Sequence, residues 1–231
     1  MDRFAYEALR TCALTHNYNK WIHGIFKEYI SDRTVLEIGC GIGNLTRLFL
    51  GSCSKLIGID ASLFFIRHLQ IDHPEMEVYN FDITDDSVLP LARHKIEAVI
   101  SVNVLEHIKD DEKALRNMRE LLQPGGYLLL FVPALNRLFG TLDENVDHYR
   151  RYDKKELKSK LESGGFTVEK LFFSNFPGIF GWFVNGRILR RKSFPIMQPL
   201  LFDKLVPLIS RVEKIFRPPL GMSLIAIARK K

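Results

Sequence analysis

The sequence is poor in cysteine, with only Cys12, Cys40 and Cys53 among 231 residues. An odd, widely spaced set excludes a disulfide framework and lacks metal-ligand spacing. No metal ion is therefore expected, and the thiols read as free, in a cytoplasmic setting. Long hydrophobic runs are also missing: no stretch approaches the roughly 18 apolar residues of a membrane-spanning helix. The opening residues carry Asp2, Arg3, Glu7 and Arg10 and have no apolar core of the kind a signal peptide needs. Acidic residues are scarce in one region. From Phe176 to Lys231 there are 11 Lys or Arg against 2 Asp or Glu, a charge of +9, while the remaining residues sum to −3. The excess positive charge thus belongs to the C-terminal quarter, which calls for a partner or surface of its own.

A length of 231 residues with 46% hydrophobic content is enough for one α/β domain with a sizeable core and a modest insertion. The chemistry starts at Val35. Val35-Leu36-Glu37-Ile38 reads as a strand ending near an acid, and Gly39, Gly41 and Gly43 follow at alternate positions before a helical segment. Residues without a Cβ let the backbone lie against a flat ligand. A strand, a Gly-rich turn and a helix N-terminus form the nucleotide-binding corner of an open α/β sheet. The dinucleotide fingerprint G-x-G-x-x-G is not met, because Asn44 holds its last place and Gly43 comes one residue early. Residues 55–60 form a second apolar strand ending in Asp60, placed to accept hydrogen bonds from the ribose hydroxyls of an adenosine-containing ligand. A third strand over 75–81 leads into Asp82 and Ile83. A fourth over 96–103 is almost wholly apolar, as a central strand should be, and runs into Asn103-Val104-Leu105-Glu106-His107. A helix over 110–122, a Gln-Pro-Gly-Gly turn and a fifth strand over 127–132 complete this part.

The Glu37-x-Gly39-x-Gly41-x-Gly43 spacing resembles motif I of the class I S-adenosylmethionine (SAM)-dependent methyltransferases. Asn103 to His107 resembles the corresponding segment of the small-molecule, quinone-biosynthesis-like branch. His148-x-Arg150-Arg151-Tyr152 ahead of a Lys-Lys-Glu-Leu helix start resembles a bacterial subgroup of the same class. The resemblance covers nearly the whole chain and implies a single domain with a seven-stranded Rossmann-like sheet whose last strand is antiparallel. It places N-terminal helices at 1–33, which either pack on the sheet as core or close over the cofactor as a lid, the SAM-binding core at 34–174, a helical insertion between strands six and seven at 175–219, and the final strand at 220–231. It implies SAM as cofactor, held by Tyr18, Glu37, Gly39, Cys40, Gly41, Gly43, Asp60, Ala61, Asp82, Ile83, Asn103 and Val104. DNA methyltransferases carry an Asn/Asp-Pro-Pro-aromatic motif after strand four; its absence here argues against DNA as acceptor.

The connection leaving strand five concentrates polar, aromatic and cationic groups at the ligand-facing end of the sheet. Asn136, Tyr149, Arg150, Arg151 and Tyr152 are the expected acceptor-binding residues. His148 is the leading candidate for general base, since imidazole titrates near operating pH. His107 is the second candidate, balanced against a packing or capping role. The arginines suit an anionic acceptor group, or else pair with Asp143, Glu144 or Asp147 to stiffen the loop. In the insertion, Phe176, Phe180, Trp182 and Phe183 precede Arg187, Arg190, Arg191 and Lys192; if helical, Arg187, Arg190 and Arg191 share one face. Docking on anionic lipid through 176–219, capping of the pocket and a solvated helical pair all remain open for it. The function expected is methyl transfer to a small-molecule or lipid-linked hydroxyl. An RNA acceptor and a non-catalytic SAM-binding partner are the alternatives, and the glycine spacing disfavours an NAD-dependent oxidoreductase.

Overall fold

The computed structural model describes residues 2–191, 195 and 197–231; Lys192 of the basic run lies outside the described residues. Seven strands build one sheet: β1 (Thr34–Ile38), β2 (Lys55–Asp60), β3 (Glu77–Asn80), β4 (Ile96–Val102), β5 (Leu122–Pro133), β6 (Phe166–Ser174) and β7 (Ser223–Lys230). Their order is β3-β2-β1-β4-β5-β7-β6. The first five are parallel, and β7 runs antiparallel between β5 and β6. This is the expected sheet. Its apolar sequence pattern follows from position: Leu128 to Val132 and Leu224 to Ala228 are buried because strands flank them and helices cover both faces.

Helices α1 (Asp2–Ala13) and α2 (His16–Ile30) precede the sheet, and α3 (Thr46–Leu50) and α4 (Leu63–Asp72) follow β1 and β2. On one face, Ile22, Phe26 and Ile30 of α2, Phe49 of α3 and Leu69 of α4 pack on Val35, Ile100, Leu129 and Ile225. On the other, α5 (Asp111–Leu121) and α7 (Lys154–Ser163) bring Leu115, Met118, Leu157 and Leu161 onto Leu36, Val99, Leu130 and Ala226. A short α6 (Thr141–Asn145) lies in the connection after β5. Strand order reverses where β1 meets β4, and such a switch point opens a ligand crevice at the carboxyl ends of the strands.

Two local expectations differ, and one element had not been foreseen. The Gln-Pro-Gly-Gly turn is absorbed into β5: Leu122 pairs with Ile96 and Tyr127 with Ala98, and Gln123 to Gly126 bulge out between them, around the left-handed Gly125 (φ 73°). Residues Asp86–His94 form a 3-10 helix. The side chain of Asp85 caps it by accepting from the Ser87 N–H, and Val88 and Leu91 are buried at the three-residue spacing such a helix eclipses. The insertion is helical, but the shared arginine face is overturned. After α8 (Gly178–Trp182) the chain widens into a π-helical turn, Phe183–Ile188, and Arg190 adopts left-handed backbone (φ 47°). Arg190 and Arg191 therefore lie beyond the helix. A second, longer helix, α9 (Met197–Ile215), returns along α2.

Candidate active site

At the end of β1, Gly39, Gly41 and Gly43 all take left-handed backbone, with φ of 72°, 53° and 86°, which side chains would resist. A Cβ on Gly39 would stand 2.3 Å from Val104 Cγ2, and one on Gly43 2.7 Å from Leu69 Cδ1. The turn is thus locked against the exit of β4 and against α4. The Gly41 N–H donates to Asp60 Oδ2 (2.9 Å) and the Ser62 N–H to Asp60 Oδ1 (2.8 Å). Asn80 Nδ2 donates to the carbonyls of Asp60 and Ala61, both at 2.9 Å. Asp82 accepts from the Thr84 N–H and hydroxyl, and Ile83 is buried next to it. Glu37 is buried beneath the turn, accepting from Thr46 Oγ1 at 2.7 Å. Burial, with the charge of Asp60 adding to it, pushes its carboxyl up to about 8. Cys40 turns its side chain into the core, where burial pushes the thiol up, so only its backbone belongs to the turn.

Backbone strain continues along this edge. Asn103 after β4, Leu135 after β5 and Asn175 after β6 have φ of 52°, 65° and 63°, conformations that non-glycine residues hold only where the surroundings impose them. Helix α1 crosses the glycine corner: Asn44 Nδ2 donates to the Leu9 carbonyl at 2.8 Å. The Leu9 side chain covers Gly41, and the Tyr6 ring meets Phe64 edge-on at 5.4 Å. A bare glycine backbone, a carboxylate at β2 and a second carboxylate beside an apolar side chain at β3 form the donor and acceptor set an adenosine moiety requires.

A second cluster gathers where β4 and β5 end. Asp143, fully buried, accepts from His148 Nδ1 at 2.9 Å and Arg151 Nε at 2.8 Å through one oxygen. Its other oxygen accepts from the Gly140 N–H at 3.0 Å and from Trp182 Nε1–H at 3.1 Å. Burial works against the charge on Asp143, yet the His148 hydrogen bond and the Arg151 guanidinium hold its carboxyl below the usual range. The Arg151 guanidinium is itself buried, bonded to the Ala134 carbonyl at 3.0 Å and stacked 4.4 Å from the Trp182 ring centre. The other imidazole nitrogen of His148, Nε2, lies 3.8 Å from Glu106 Oε1. Glu106 is 0% exposed, and neither oxygen has a hydrogen-bond partner among the described residues. Burial pushes its carboxyl up to about 8. The His107 ring stands edge-on to His148, with centroids 4.6 Å apart. Crowding by protein and then the neighbouring His148 push it down to about 4, although hydrogen bonds to the 146–147 backbone act the other way. Glu106, His107 and His148 each present a ligand-type atom within 4.8 Å of the others. The Arg151 charge felt by Glu106 opposes a cation in that space.

A family model described as a methyltransferase domain matches residues 6–171. The chain belongs to this methyltransferase family. Among curated proteins, one from Mycolicibacterium smegmatis, named a probable S-adenosylmethionine-dependent methyltransferase, is 29% identical over 59% of this chain and 53% of its own length. The ubiquinone biosynthesis O-methyltransferase of Coxiella burnetii is 25% identical over 60% of this chain and 65% of its own. The chain spans about half the length of the first of these relatives. The solved structure of a SAM-dependent methyltransferase from Thermotoga maritima superposes with a TM-score of 0.69 at 18% identity, covering 100% of this chain and 97% of that one. The shared fold is the seven-stranded one described above.

Within this methyltransferase domain the structure brings the residues expected around the cofactor to the ends of β1 to β4. Tyr18 is placed elsewhere: its ring meets Phe131 at 6.5 Å and its hydroxyl lies near Ser223 and Asn175, on the β5-β7-β6 side. Of the expected acceptor residues, Asn136, Tyr149, Arg150 and Arg151 line one open cavity of about 340 Å³ together with Phe139 and Glu156. Two are corrected. Arg151 is spent on Asp143, Ala134 and Trp182, the stiffening role rather than the acceptor role. Tyr152 is 0% exposed, and its hydroxyl donates to Asp111 Oδ2 at 2.8 Å inside the core. Arg150 pairs with Asp111 at 2.9 Å, and Asn136 holds Asp153 and Glu156 at the start of α7; both keep an exposed flank at the cavity. The sequence reading gave Glu106 and Trp182 no site role and treated Asp143 only as a partner for arginine. Glu106 had a signal in its place beside His107, whereas Asp143 lies five residues from His148 and the indole arrives from the insertion, so no spacing foretells either.

The two raised carboxyls set a pH dependence. Glu37 and Glu106 ionise near 4.5 in an unfolded chain and near 8 when folded, so between these values the folded state holds the extra protons. Stability then falls as pH rises, by up to about 1.4 kcal/mol per pH unit for each group. The melting temperature without ligand is expected to drop between about pH 5 and pH 8, and Glu106→Gln to flatten that slope. An unchanged slope in the variant would show that Glu106 ionises normally in the fold.

Proposed function

We propose that the protein is a SAM-dependent methyltransferase that methylates a hydroxyl group of a small-molecule or lipid-linked acceptor, with His148 as general base. The observation that carries this reading is the His148–Asp143 pair. With Nδ1–H fixed on the Asp143 carboxylate, Nε2 carries the lone pair and is free to take a hydroxyl proton. The imidazolium so formed gains from the ionised Asp143 behind it, while His107, neutral near pH 7 because its pKa is pushed down to about 4, braces the ring edge-on. Glu106 is protonated below about 8, and at 3.8 Å from Nε2 it stands too far to donate to the lone pair.

SAM would be held by the backbone of Gly39, Cys40, Gly41 and Gly43 above Glu37, by Asp60 and Ala61 toward the ribose, by Asp82 and Ile83 toward the adenine, and by Asn103 and Val104 beside the methionine part. When bound it supplies an electrophilic methyl group on a sulfonium, so the work left to the protein is alignment of the acceptor and removal of its proton. Helix α1 serves as the lid, with Leu9 over the glycine turn. Tyr18 belongs to the acceptor side, near the strained Asn175. The likeness to an O-methyltransferase supports a hydroxyl acceptor.

The test is His148→Gln. S-adenosylhomocysteine should bind the variant within about twofold of the parent by calorimetry. Transfer of labelled methyl groups to quinol and polyprenyl-type acceptors should fall by on the order of 10²–10⁴. Turnover equal to the parent would remove His148 as the base, and preference for NAD over S-adenosylhomocysteine would remove the donor.

A further inference from the structure

The insertion leaves an apolar face uncovered. On α9, Leu201, Leu205, Leu208, Val212 and Ile215 are 63%, 53%, 64%, 49% and 74% exposed. At 100° per residue these positions fall within an arc of about 80°, with Lys204 and Arg211 along one border. The opposite side of α9 is spent: Val206 is buried, and Asp203 receives the Asn17 and Tyr18 N–H groups at 3.2 and 2.8 Å. Phe180, Phe183, Ile188 and Leu189 of the preceding turns are exposed as well, interleaved with the exposed Arg187 and Arg190. The charge on this surface has one sign. The two acids of the region are both turned inward, Asp203 onto α2 and Glu213 onto the N–H groups of Asn175 and Phe176 at 2.9 Å each. What faces outward is apolar with a cationic border.

We propose that this face docks on an anionic lipid bilayer. A large exposed apolar patch marks an interaction surface. A second copy of this chain would cover the stripe but bring no anion to the cationic border, and RNA would leave the aliphatic stripe wet; a bilayer with anionic headgroups satisfies both features at once. No helix among the described residues is long and apolar enough to cross a membrane, so the contact lies in the plane of the interface. The turns that lead into α9 touch the catalytic cluster. Trp182 donates to Asp143, Thr141 Oγ1 donates to the carbonyls of Gly186 and Arg191 at 3.0 and 2.7 Å, and Arg187 donates to the Phe139 carbonyl at 3.0 Å. A docked insertion therefore stays tied to the loop that carries His148. This deepens the proposed function by naming where the acceptor is met, and vesicle binding needs neither donor nor turnover, so the two readings fail separately.

The test is sedimentation of the full chain with vesicles of phosphatidylcholine alone and of phosphatidylcholine with 30% phosphatidylglycerol, at low and high salt. Each cation near an anionic surface multiplies binding by about fivefold. Binding to the anionic vesicles should thus exceed that to neutral ones by at least tenfold and weaken with salt. The variant Leu208→Glu/Val212→Glu should lose it while binding S-adenosylhomocysteine like the parent. Equal binding to both vesicle types, no binding to either, or retained binding by the variant would overturn the proposal. So would a dimer in sedimentation velocity that the double variant dissolves, or a preference for RNA over vesicles at the same salt.

Discussion

Asp143→Ala is expected to cost the fold about 3–5 kcal/mol, because it leaves the buried Arg151 guanidinium without its counter-charge. Four donors converge on this carboxylate, from Gly140, His148, Arg151 and Trp182, so the loss reaches the loop, the base and the insertion together. Asp143→Asn keeps the volume but not the charge. It also strips Arg151 of its counter-charge and turns an amide N–H2 toward two of the four donors, so stability should fall as well, and with the charge that favours the imidazolium gone turnover should fall by about two to four orders of magnitude. The pair with Arg151 is checked by a cycle: Asp143→Leu combined with Arg151→Met should recover much of the stability lost by either change alone, since an apolar pair needs no counter-charge. Urea unfolding of the four proteins measures it. If Asp143→Ala unfolds at the parent's denaturant midpoint, the cluster is solvated in solution and the base is not held.

The sheet was legible from the residues because its signals are local. Val35 to Asp60 holds two apolar strands, the three alternating glycines Gly39, Gly41 and Gly43 and a strand-end acid in fixed order, and the geometry reproduces each: left-handed glycines and an Asp60 carboxylate at the turn. The long apolar runs of β4, β5 and β7 likewise report strands with neighbours on both sides. The acceptor side was less legible, because its side chains are sorted by contacts that come from far along the chain. Arg150 and Arg151 are adjacent and chemically identical, yet Arg151 points inward to Asp143 and Trp182 while Arg150 lies half out against Asp111. Tyr149 is exposed and Tyr152 is in the core for the same reason of phase. In the insertion, composition showed an excess of positive charge, but only the fold reveals that Asp203 and Glu213 are turned inward, leaving the outer face without acids. The expected run of arginines on one helical face failed because the helix widens and ends before Arg190.

Asp60→Ala should weaken S-adenosylhomocysteine binding by at least a hundredfold, or about 2.7 kcal/mol. Two losses combine. The carboxylate positioned for the ribose disappears, and so does the acceptor that holds the Gly41 and Ser62 N–H groups at 2.9 and 2.8 Å. The first is a direct contact, the second an ordering of the glycine turn before the ligand arrives. Asp60→Asn tells them apart from simple space filling: it is isosteric, but its amide must turn a donor toward one of those two N–H groups, so affinity should still drop by at least tenfold. Both variants also remove a negative charge that helps raise the Glu37 carboxyl to about 8, and the upper end of the pH-dependent loss of stability should move down accordingly. Asp82→Ala is the comparison, since its carboxylate closes a local turn with Thr84 and leaves the glycine corner intact; a loss of about tenfold is expected there. Calorimetric titration of the four proteins decides the matter. Binding by Asp60→Ala within threefold of the parent would mean that the glycine turn is architecture and that the cofactor is held at another part of the sheet edge.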